Sequence, residues 1–224
     1  MPTTESTSGE LKDTGYELFI GALSILSILN LVFIRVFRDD NLEDVLFVMN
    51  ALLSVIFFVD FLYRLFTAES KSEYFLRQFG WADLVASLPF NEVKVLRLFR
   101  LVRVSRLLRA NGLQRTGRTL LRNRAGSALL TLLLLGILVL QFGSIQILRV
   151  EQHAEGANIT SASDALWYVI VTISTVGYGD RFPVTDLGRF MGAVIIIIGV
   201  AIFGTFTGYL ANLFLSPRTG DKAS

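Results

Sequence analysis

The stretch Thr175-Val176-Gly177-Tyr178-Gly179-Asp180 stands between two long apolar segments and is itself too short to cross a membrane. Glycine alternates with other residues here, and glycine takes a positive φ without steric cost. Gly177 and Gly179 therefore allow a backbone in which successive carbonyl oxygens point toward a common axis. Carbonyl oxygens from several copies of such a segment can replace the water around an ion. The alternative interpretation is a glycine-rich turn in a membrane protein.

The composition is that of an integral membrane protein. Of the 224 residues, 52% are hydrophobic, and the mean hydropathy is +0.55. Several apolar runs approach the roughly 20 residues that a bilayer requires. Residues 1–15 are polar and carry no short cleavable signal, so we do not expect a secreted protein.

The sequence gives no indication of an enzyme. It contains no cysteine, which excludes disulfides and thiolate metal sites, and its single His153 lies in a polar stretch expected to be a solvated loop. No nucleophile–base set and no metal-ligand cluster is recognisable. We therefore expect no cofactor, and no nucleic acid as a partner.

Hydropathy predicts six membrane spans and one re-entrant segment. The apolar runs lie at about residues 16–37, 45–66, 79–90, 94–109, 125–148 and 187–215. A short helix is expected at 164–174, directly before the glycine stretch. Irregular backbone at membrane depth persists only where it is buried in protein or lines an aqueous path. The glycine stretch is therefore expected to enter the membrane and leave it on the same side.

Basic residues recur at every third position of the fourth apolar run. Such charges extend about 22 Å along an α-helical axis, at 1.5 Å per residue. Intramembrane charges are costly and usually functional, and moving one charge across the membrane corresponds to about 2.3 kcal/mol per 100 mV. The alternative is a basic amphipathic helix on the membrane surface, but that would show a period of 3.6. We therefore expect a helix that moves with voltage; its basic residues are Lys94, Arg97, Arg100, Arg103, Arg106 and Arg109.

Two acidic residues in the second and third apolar runs are the expected partners of these charges, namely Asp60 and Asp83. Arg64 lies one helical turn after Asp60, where it can pair locally. Phe57 lies on the same face, where its ring can separate the water above and below a passing charge. The alternatives are snorkelling at the interface for the two acids and ordinary apolar packing for the ring.

The distribution of Lys and Arg predicts the orientation. From Val93 to Val150 there are 11 basic residues and no acidic one. The segment 110–124 is expected to be a basic amphipathic helix on the cytoplasmic face. With six spans, both termini then lie in the cytoplasm, and the protein is expected in the plasma membrane.

Together these features resemble the voltage-gated potassium channel family, in a six-transmembrane form similar to its prokaryotic members. The filter stretch matches the family's TVGYG letter for letter, the basic ladder matches its gating charges, and residues 83–89 are similar to its third segment. The resemblance implies an all-α integral membrane protein with a four-helix voltage-sensor domain and a two-helix pore domain. It also implies a homotetramer in contact with membrane lipids.

The resemblance implies the following division of the chain. A cytoplasmic tail (1–15) is followed by the voltage sensor (16–109), a linker helix (110–124), the pore domain (125–215) and a second cytoplasmic tail (216–224).

The resemblance further implies roles for single residues. K⁺, the permeant ion, is coordinated by Thr175, Val176, Gly177 and Tyr178, and Gly179 completes the filter. Trp167 and Asp180 support the filter through a hydrogen bond. Phe57, Asp60, Asp83 and Arg64 form the charge-transfer site. The Pro-Val-Pro bend of animal members is absent from the last segment, so the candidate gate hinges are Gly199, Gly204 and Gly208.

The sequence thus predicts a voltage-gated, potassium-selective channel, with two alternatives left open. One is a ligand-gated potassium channel, for example a truncated cyclic-nucleotide-gated one, whose sensor-like domain depends only weakly on voltage. The other is a non-conducting regulatory subunit that assembles with true channels. Retention of an intact filter argues against the second alternative.

Overall fold

The computed structural model describes residues 6–36, 39–67, 84 and 124–215. Within these residues the structure is helical and contains no β-strand. The helices are α1 (Ser6–Val36), α2 (Asp40–Thr67), α3 (Arg124–Glu151), α4 (Ala162–Ile173) and α5 (Asp186–Leu215). The chain divides into two compact units, Met1–Leu134 and Leu135–Ser224.

Four of the described helices are long and apolar enough to cross a membrane. The spans are Gly15–Val36, Asp40–Thr67, Ala128–Glu151 and Asp186–Leu215. Helix α4 has 12 residues, about 18 Å at 1.5 Å per residue, against a hydrocarbon core of about 30 Å. The protein is therefore a multi-pass membrane protein, helical in the part that the structure describes, and α4 is too short to span.

Helix ends extend beyond the apolar runs expected from the sequence. Helix α1 begins at Ser6, inside the segment expected as a polar tail, and α2 begins at Asp40, inside the expected acidic loop. Asp39 caps α2, because its Oδ1 accepts a hydrogen bond of 3.1 Å from the Asn41 N–H. Asp40 and Glu43 follow in the first turn, where the helix dipole favours negative charge. A cap and the helix dipole, which hydropathy does not register, therefore stabilise the start of α2.

Several predicted features lie outside the described residues. They are the third apolar run with Asp83, most of the linker (110–123), the tail 216–224 and the basic ladder Lys94, Arg97, Arg100, Arg103, Arg106 and Arg109. These features remain predictions from the sequence.

In the first unit, α1 and α2 pack through an apolar core that includes Leu23, Met49 and Leu53. A polar face runs through this core: Ser24, Ser27 and Asn30 on α1, with Asn50 and Ser54 on α2, are all buried. Ser27 Oγ and Asn30 Nδ2 each donate to Oδ1 of Asn50 at 3.5 Å. Small and polar residues of this kind join helices inside membranes.

In the second unit, α4 packs against α5 where α5 carries glycine. A Cβ added at Gly192 would lie 2.6 Å from the hydroxyl oxygen of Tyr168, and one at Gly199 would lie 2.7 Å from Cα of Ile173. Real Cβ contacts are not this short, so only glycine permits the approach. The two glycines thus bring α5 against the middle and the C-terminal end of α4, which fixes where α4 points.

Candidate ion-binding site

Helix α4 begins with a capping interaction. The N-cap residue Ser161 is extended, with φ −132° and ψ 163°, and its Oγ accepts a hydrogen bond of 3.2 Å from the Asp164 N–H. The Asp164 carboxylate in turn accepts from the Thr160 N–H at 3.3 Å. This reciprocal arrangement of Ser and an acid three residues later satisfies N–H groups that a helix start leaves open. It fixes the first turn of α4, and so the position of its last turn.

The last turn of α4 holds the backbone that follows it. The Thr175 N–H donates to the Thr172 carbonyl at 3.1 Å, and the N–H groups of Val176 and Gly177 donate to the Val171 carbonyl at 3.1 and 3.2 Å. The carbonyls at a helix C-terminus otherwise lack partners. Three consecutive N–H groups of the filter stretch therefore point back toward α4.

The carbonyls of the same peptide units point the other way. In a trans peptide the C=O of one residue is opposed to the N–H of the next, and no described peptide bond is cis. The carbonyl oxygens of Ser174, Thr175 and Val176 are therefore directed away from α4. That direction is the one required of oxygens that bind an ion.

Along residues 175–179 the backbone alternates between the left-handed region and other regions of φ and ψ. Thr175, Gly177 and Gly179 have φ values of 59°, 60° and 76°, whereas Val176 and Tyr178 between them are not in the left-handed region. Alternation of this kind aligns successive N–H groups on one side. Thr175 is the sole non-glycine residue with positive φ in the described part of the chain. Such a conformation is a genuine outlier for a β-branched residue, and backbone strain of this type occurs at functional sites.

Two aromatic rings support the side of the stretch that faces α4. The indole Nε1 of Trp167 donates to Oδ2 of Asp180 at 2.8 Å. The Trp167 and Tyr178 rings are stacked, with centroids 5.7 Å apart and planes at 4°. The structure thus brings Trp167 and Asp180 together, as the resemblance implies.

Residues 175–180 are exposed in the single chain, and Val176 and Tyr178 are 56% and 68% exposed. One chain offers a single row of carbonyl oxygens. That row alone cannot surround an ion.

A buried carboxylate just beyond the apolar run expected at 125–148 joins α3 to the residues directly before α5. Glu151, fully buried at the end of α3, accepts hydrogen bonds from the N–H groups of Val184 (2.8 Å) and Thr185 (3.1 Å) and from the Thr185 hydroxyl (2.6 Å). Gly188 lies against it, and any side chain there would overlap Oε1 of Glu151. An acid at the end of an apolar run was the available signal, because such acids usually have partners.

The three candidate hinge glycines differ in surroundings. Gly199 is buried against Ile173, whereas a Cβ at Gly204 or Gly208 would meet no atom within 4 Å. Helix α5 continues without a break through all three positions. Gly199 therefore has a packing role of its own, and the hinge role of all three stays a prediction.

The candidate charge-transfer residues on α2 form a cluster that α1 completes. Arg64 Nε donates to Oδ1 of the buried Asp60 at 2.9 Å, and the same oxygen accepts from the Tyr16 hydroxyl at 2.6 Å. The Arg64 guanidinium also pairs with Glu17 and lies 5.9 Å from the centre of the Tyr16 ring. Phe57 is buried in the same helix. Sequence analysis missed Tyr16 and Glu17, whose position at the start of an apolar run was the signal.

In the described part of the chain, two carboxylates, those of Asp60 and Glu17, pair with the guanidinium of Arg64. The expected partner of the site, Asp83, lies outside the described residues.

Comparison with known proteins gives a consistent picture. Residues 13–216 match the family described as ion transport protein. The chain is 33% identical over 85 residues to a voltage-gated potassium channel of Aeropyrum pernix, a match covering 38% of this chain and 29% of the relative. It is 29% identical over 172 residues to the potassium voltage-gated channel protein Shal of Drosophila melanogaster, covering 70% and 30%.

A further relative is the voltage-gated potassium channel regulatory subunit KCNF1 of Rattus norvegicus, 29% identical over 165 residues, covering 64% of this chain and 33% of the relative. The chain thus spans about a third of the length of the curated relatives it matches. These relatives are ion channels or channel subunits rather than enzymes. The chain belongs to the ion transport protein family.

Proposed function

We propose that the chain is one subunit of a voltage-gated, K⁺-selective channel. The observation that carries the proposal is the backbone that alternates at Thr175, Gly177 and Gly179. The N–H groups of residues 175–177 donate to α4, and the carbonyls of residues 174–176 point away from it. A ring of such carbonyls replaces the hydration shell of K⁺. K⁺ is thus the permeant ion, coordinated from Thr175 to Tyr178, and no cofactor takes part.

A homotetramer completes the ring. One chain supplies one filter stretch, and the ring described for K⁺ channels needs four. Only 17% of the most apolar window of α5 is buried in the single chain, which leaves apolar surface both for neighbouring subunits and for membrane lipids. The domain plan is a four-helix sensor, a linker helix and a two-helix pore, in the plasma membrane with both termini cytoplasmic.

Voltage acts, in this proposal, on the basic ladder from Lys94 to Arg109. The expected partners of the passing ladder cations are the acids Asp60 and Asp83 of the charge-transfer site. If roughly three charges move in each of four subunits, the electrical work is on the order of 28 kcal/mol per 100 mV. That work is large enough to move a gate through the linker.

A flux assay on the purified chain in liposomes tests the conduction part. We expect K⁺ efflux under a K⁺ gradient and little Na⁺ efflux under a matched Na⁺ gradient. Gly177→Ala places a side chain at φ 60° and is expected to abolish the flux. Gly136→Ala is the matched control, because a Cβ there meets no atom within 4 Å. Equal K⁺ and Na⁺ flux, or an unaffected Gly177→Ala variant, would contradict the proposal.

A second candidate is a regulatory subunit, favoured by the likeness to KCNF1. In that case the chain alone passes no ions and changes the current of a co-reconstituted channel. The third possibility, a ligand-gated channel, conducts with an open probability that depends only weakly on voltage. The same reconstituted protein distinguishes all three.

A further inference from the structure

Arg181, the residue after Asp180, has two partners on other segments of the chain. Arg181 Nη2 lies 2.9 Å from Oδ1 of Asp164, in the first turn of α4. Its Nη1 donates to the backbone carbonyl of Asn158, in the loop between α3 and α4. The Arg181 side chain is 38% exposed and that of Asp164 is 15% exposed, so the pair is partly shielded from water.

Arg181 adds a second attachment next to the Trp167–Asp180 hydrogen bond. Asp180 and Arg181 are consecutive, while their partners Trp167 and Asp164 are three residues apart and therefore lie on one face of α4. Two successive residues beyond the filter thus hold one face of the same helix. Because the segment after the filter has two attachments to α4, it cannot rotate about one of them while the other is formed.

The loop before α4 strengthens this arrangement. The Asn158 side-chain oxygen accepts a hydrogen bond of 3.1 Å from the Phe182 N–H, so Asn158 holds two consecutive residues of the filter exit. The next residue, Ile159, is fully buried and anchors the loop. The exit segment is therefore fixed to both the loop and α4.

The Arg181–Asp164 pair also affects how much positive charge acts at the outer end of the filter. A guanidinium beside the filter exit repels K⁺ unless an opposite charge is close to it, and this repulsion acts over a Debye length of about 8 Å at physiological ionic strength. Asp164 supplies that opposite charge at 2.9 Å. The carboxylate of Asp180 is bonded to a neutral indole and keeps its own negative charge at the exit.

We propose that Arg181 is a positioning residue of the ion pathway: its pairing with Asp164 holds the outer end of the filter in its conducting form and neutralises the arginine charge beside the exit. This inference rests on the proposed K⁺ conduction. Its two parts, restraint and neutralisation, have separate signatures.

Single-channel recording of the full chain in planar bilayers tests the restraint. We expect Arg181→Gln and Asp164→Asn each to shorten the time for which the filter conducts by at least about threefold, as loss of a charge-assisted hydrogen bond does. The double variant is expected to match the single ones, because both remove the same interaction. Arg181→Lys keeps the charge and one bond, and is expected to lie between wild type and Arg181→Gln.

The unitary current tests the neutralisation, and a purely structural role would not change it in this way. Asp164→Asn leaves the Arg181 charge unpaired, so we expect a smaller unitary K⁺ current at low ionic strength that recovers at high salt. Arg181→Gln removes the charge and is expected to show no such salt dependence. The exchanged pair, Asp164→Arg with Arg181→Asp, is expected to restore the conducting time in part.

Arg189→Gln is the matched control, since Arg189 forms a 3.8 Å pair with Asp186 in which both side chains are exposed. If the wild type conducts K⁺ and the Arg181 and Asp164 variants behave like Arg189→Gln, this inference is wrong. The proposed function then still stands. A wild-type protein that passes no K⁺ would overturn both. Circular dichroism and gel filtration of each variant identify any that fail to fold, and Arg181→Lys then decides the test.

Discussion

The indole Nε1 of Trp167 donates a hydrogen bond of 2.8 Å to Oδ2 of Asp180, which joins the middle of α4 to the residue just beyond the filter stretch. The same indole stacks on Tyr178 with ring centroids 5.7 Å apart. One side chain therefore supports two neighbouring positions, through a hydrogen bond at one and through ring contact at the other. The two contributions can be separated by substitution.

Trp167→Phe keeps an aromatic ring and removes the N–H donor. A hydrogen bond to a charged group contributes about 1.5–3 kcal/mol, so we expect the conducting state of the filter to become at least about tenfold less persistent. Recording the decay of K⁺ current under constant voltage measures this. Trp81→Phe, which changes the chain's other tryptophan, serves as the control. Identical decay in the two variants would contradict the account.

Glu151→Gln is expected to weaken the junction between α3 and α5. The carboxylate accepts three hydrogen bonds from residues 184 and 185, and an amide can accept them only with one of its two head atoms. We expect a loss of about 2–3 kcal/mol of stability, measured by thermal unfolding in detergent, with faster amide exchange at 184–188. The exposed Glu155→Gln is the control, and a loss of the same size there would count against the junction.

Substitutions at the three candidate hinge glycines of α5 distinguish a packing role from a flexible one. Gly199→Ala places a Cβ 2.7 Å from Ile173, and overpacking of this kind costs about 1–3 kcal/mol. Gly204→Ala and Gly208→Ala meet open space and are expected to stabilise the helix by up to about 1 kcal/mol. Chemical denaturation in micelles gives all three values. A Gly199→Ala protein as stable as the other two would show that its contact with Ile173 is not restrictive.

Asp60 and Glu17 share Arg64 but differ in burial. Asp60 is 1% exposed and Glu17 is 28% exposed. Neutralising the buried partner is the costlier change, so we expect Asp60→Asn to destabilise the protein by about 2 kcal/mol and Glu17→Gln by less than about 1 kcal/mol. Thermal unfolding of both variants measures the order. The reverse order would mean that Glu17, rather than Asp60, is the main partner of Arg64.

The Asp164–Arg181 pair is expected to survive mild acid. Burial opposes ionisation of Asp164, but hydrogen bonds from Ser161 and Thr160 and the charge of Arg181 outweigh it and lower the pKa of Asp164 below its ordinary value of 3.8. A carboxyl with a lowered pKa contributes stability above its unfolded pKa and loses that contribution as the pH falls through the folded pKa. The persistence of conduction should therefore be unchanged between external pH 7 and about pH 5. A loss of persistence near pH 6 that Asp164→Asn abolishes would contradict this assignment.

The sequence predicted the four long helices that the structure describes, because long apolar runs are typical of membrane spans. The filter stretch was recognisable because its glycines and letters are specific, and the structure adds the hydrogen bonds to Thr172 and Val171 that orient its carbonyls. Contacts between distant positions were not predictable. Glu151 with Thr185 and Arg181 with Asp164 are joined by the packing of helices, and no local pattern marks such pairs.

The helix ends were missed for a different reason. Hydropathy measures transfer into lipid, whereas Asp39, Asp40 and Glu43 stabilise the start of α2 through capping and the helix dipole. The contacts of Tyr16 and Glu17 could not be predicted either, because they depend on the packing of α1 beside Asp60 and Arg64 of α2.

Voltage-step recording of the purified chain in planar bilayers, with opposed K⁺ and Na⁺ gradients, tests the central claim most directly. We expect currents that reverse near the K⁺ equilibrium potential and an open probability that changes steeply with voltage. Neutralising Arg100 and Arg103 together is expected to reduce that steepness while leaving the K⁺ selectivity unchanged. Currents that reverse near the Na⁺ potential, or an open probability that stays flat across the voltage range, would contradict the account of a voltage-gated, K⁺-selective channel.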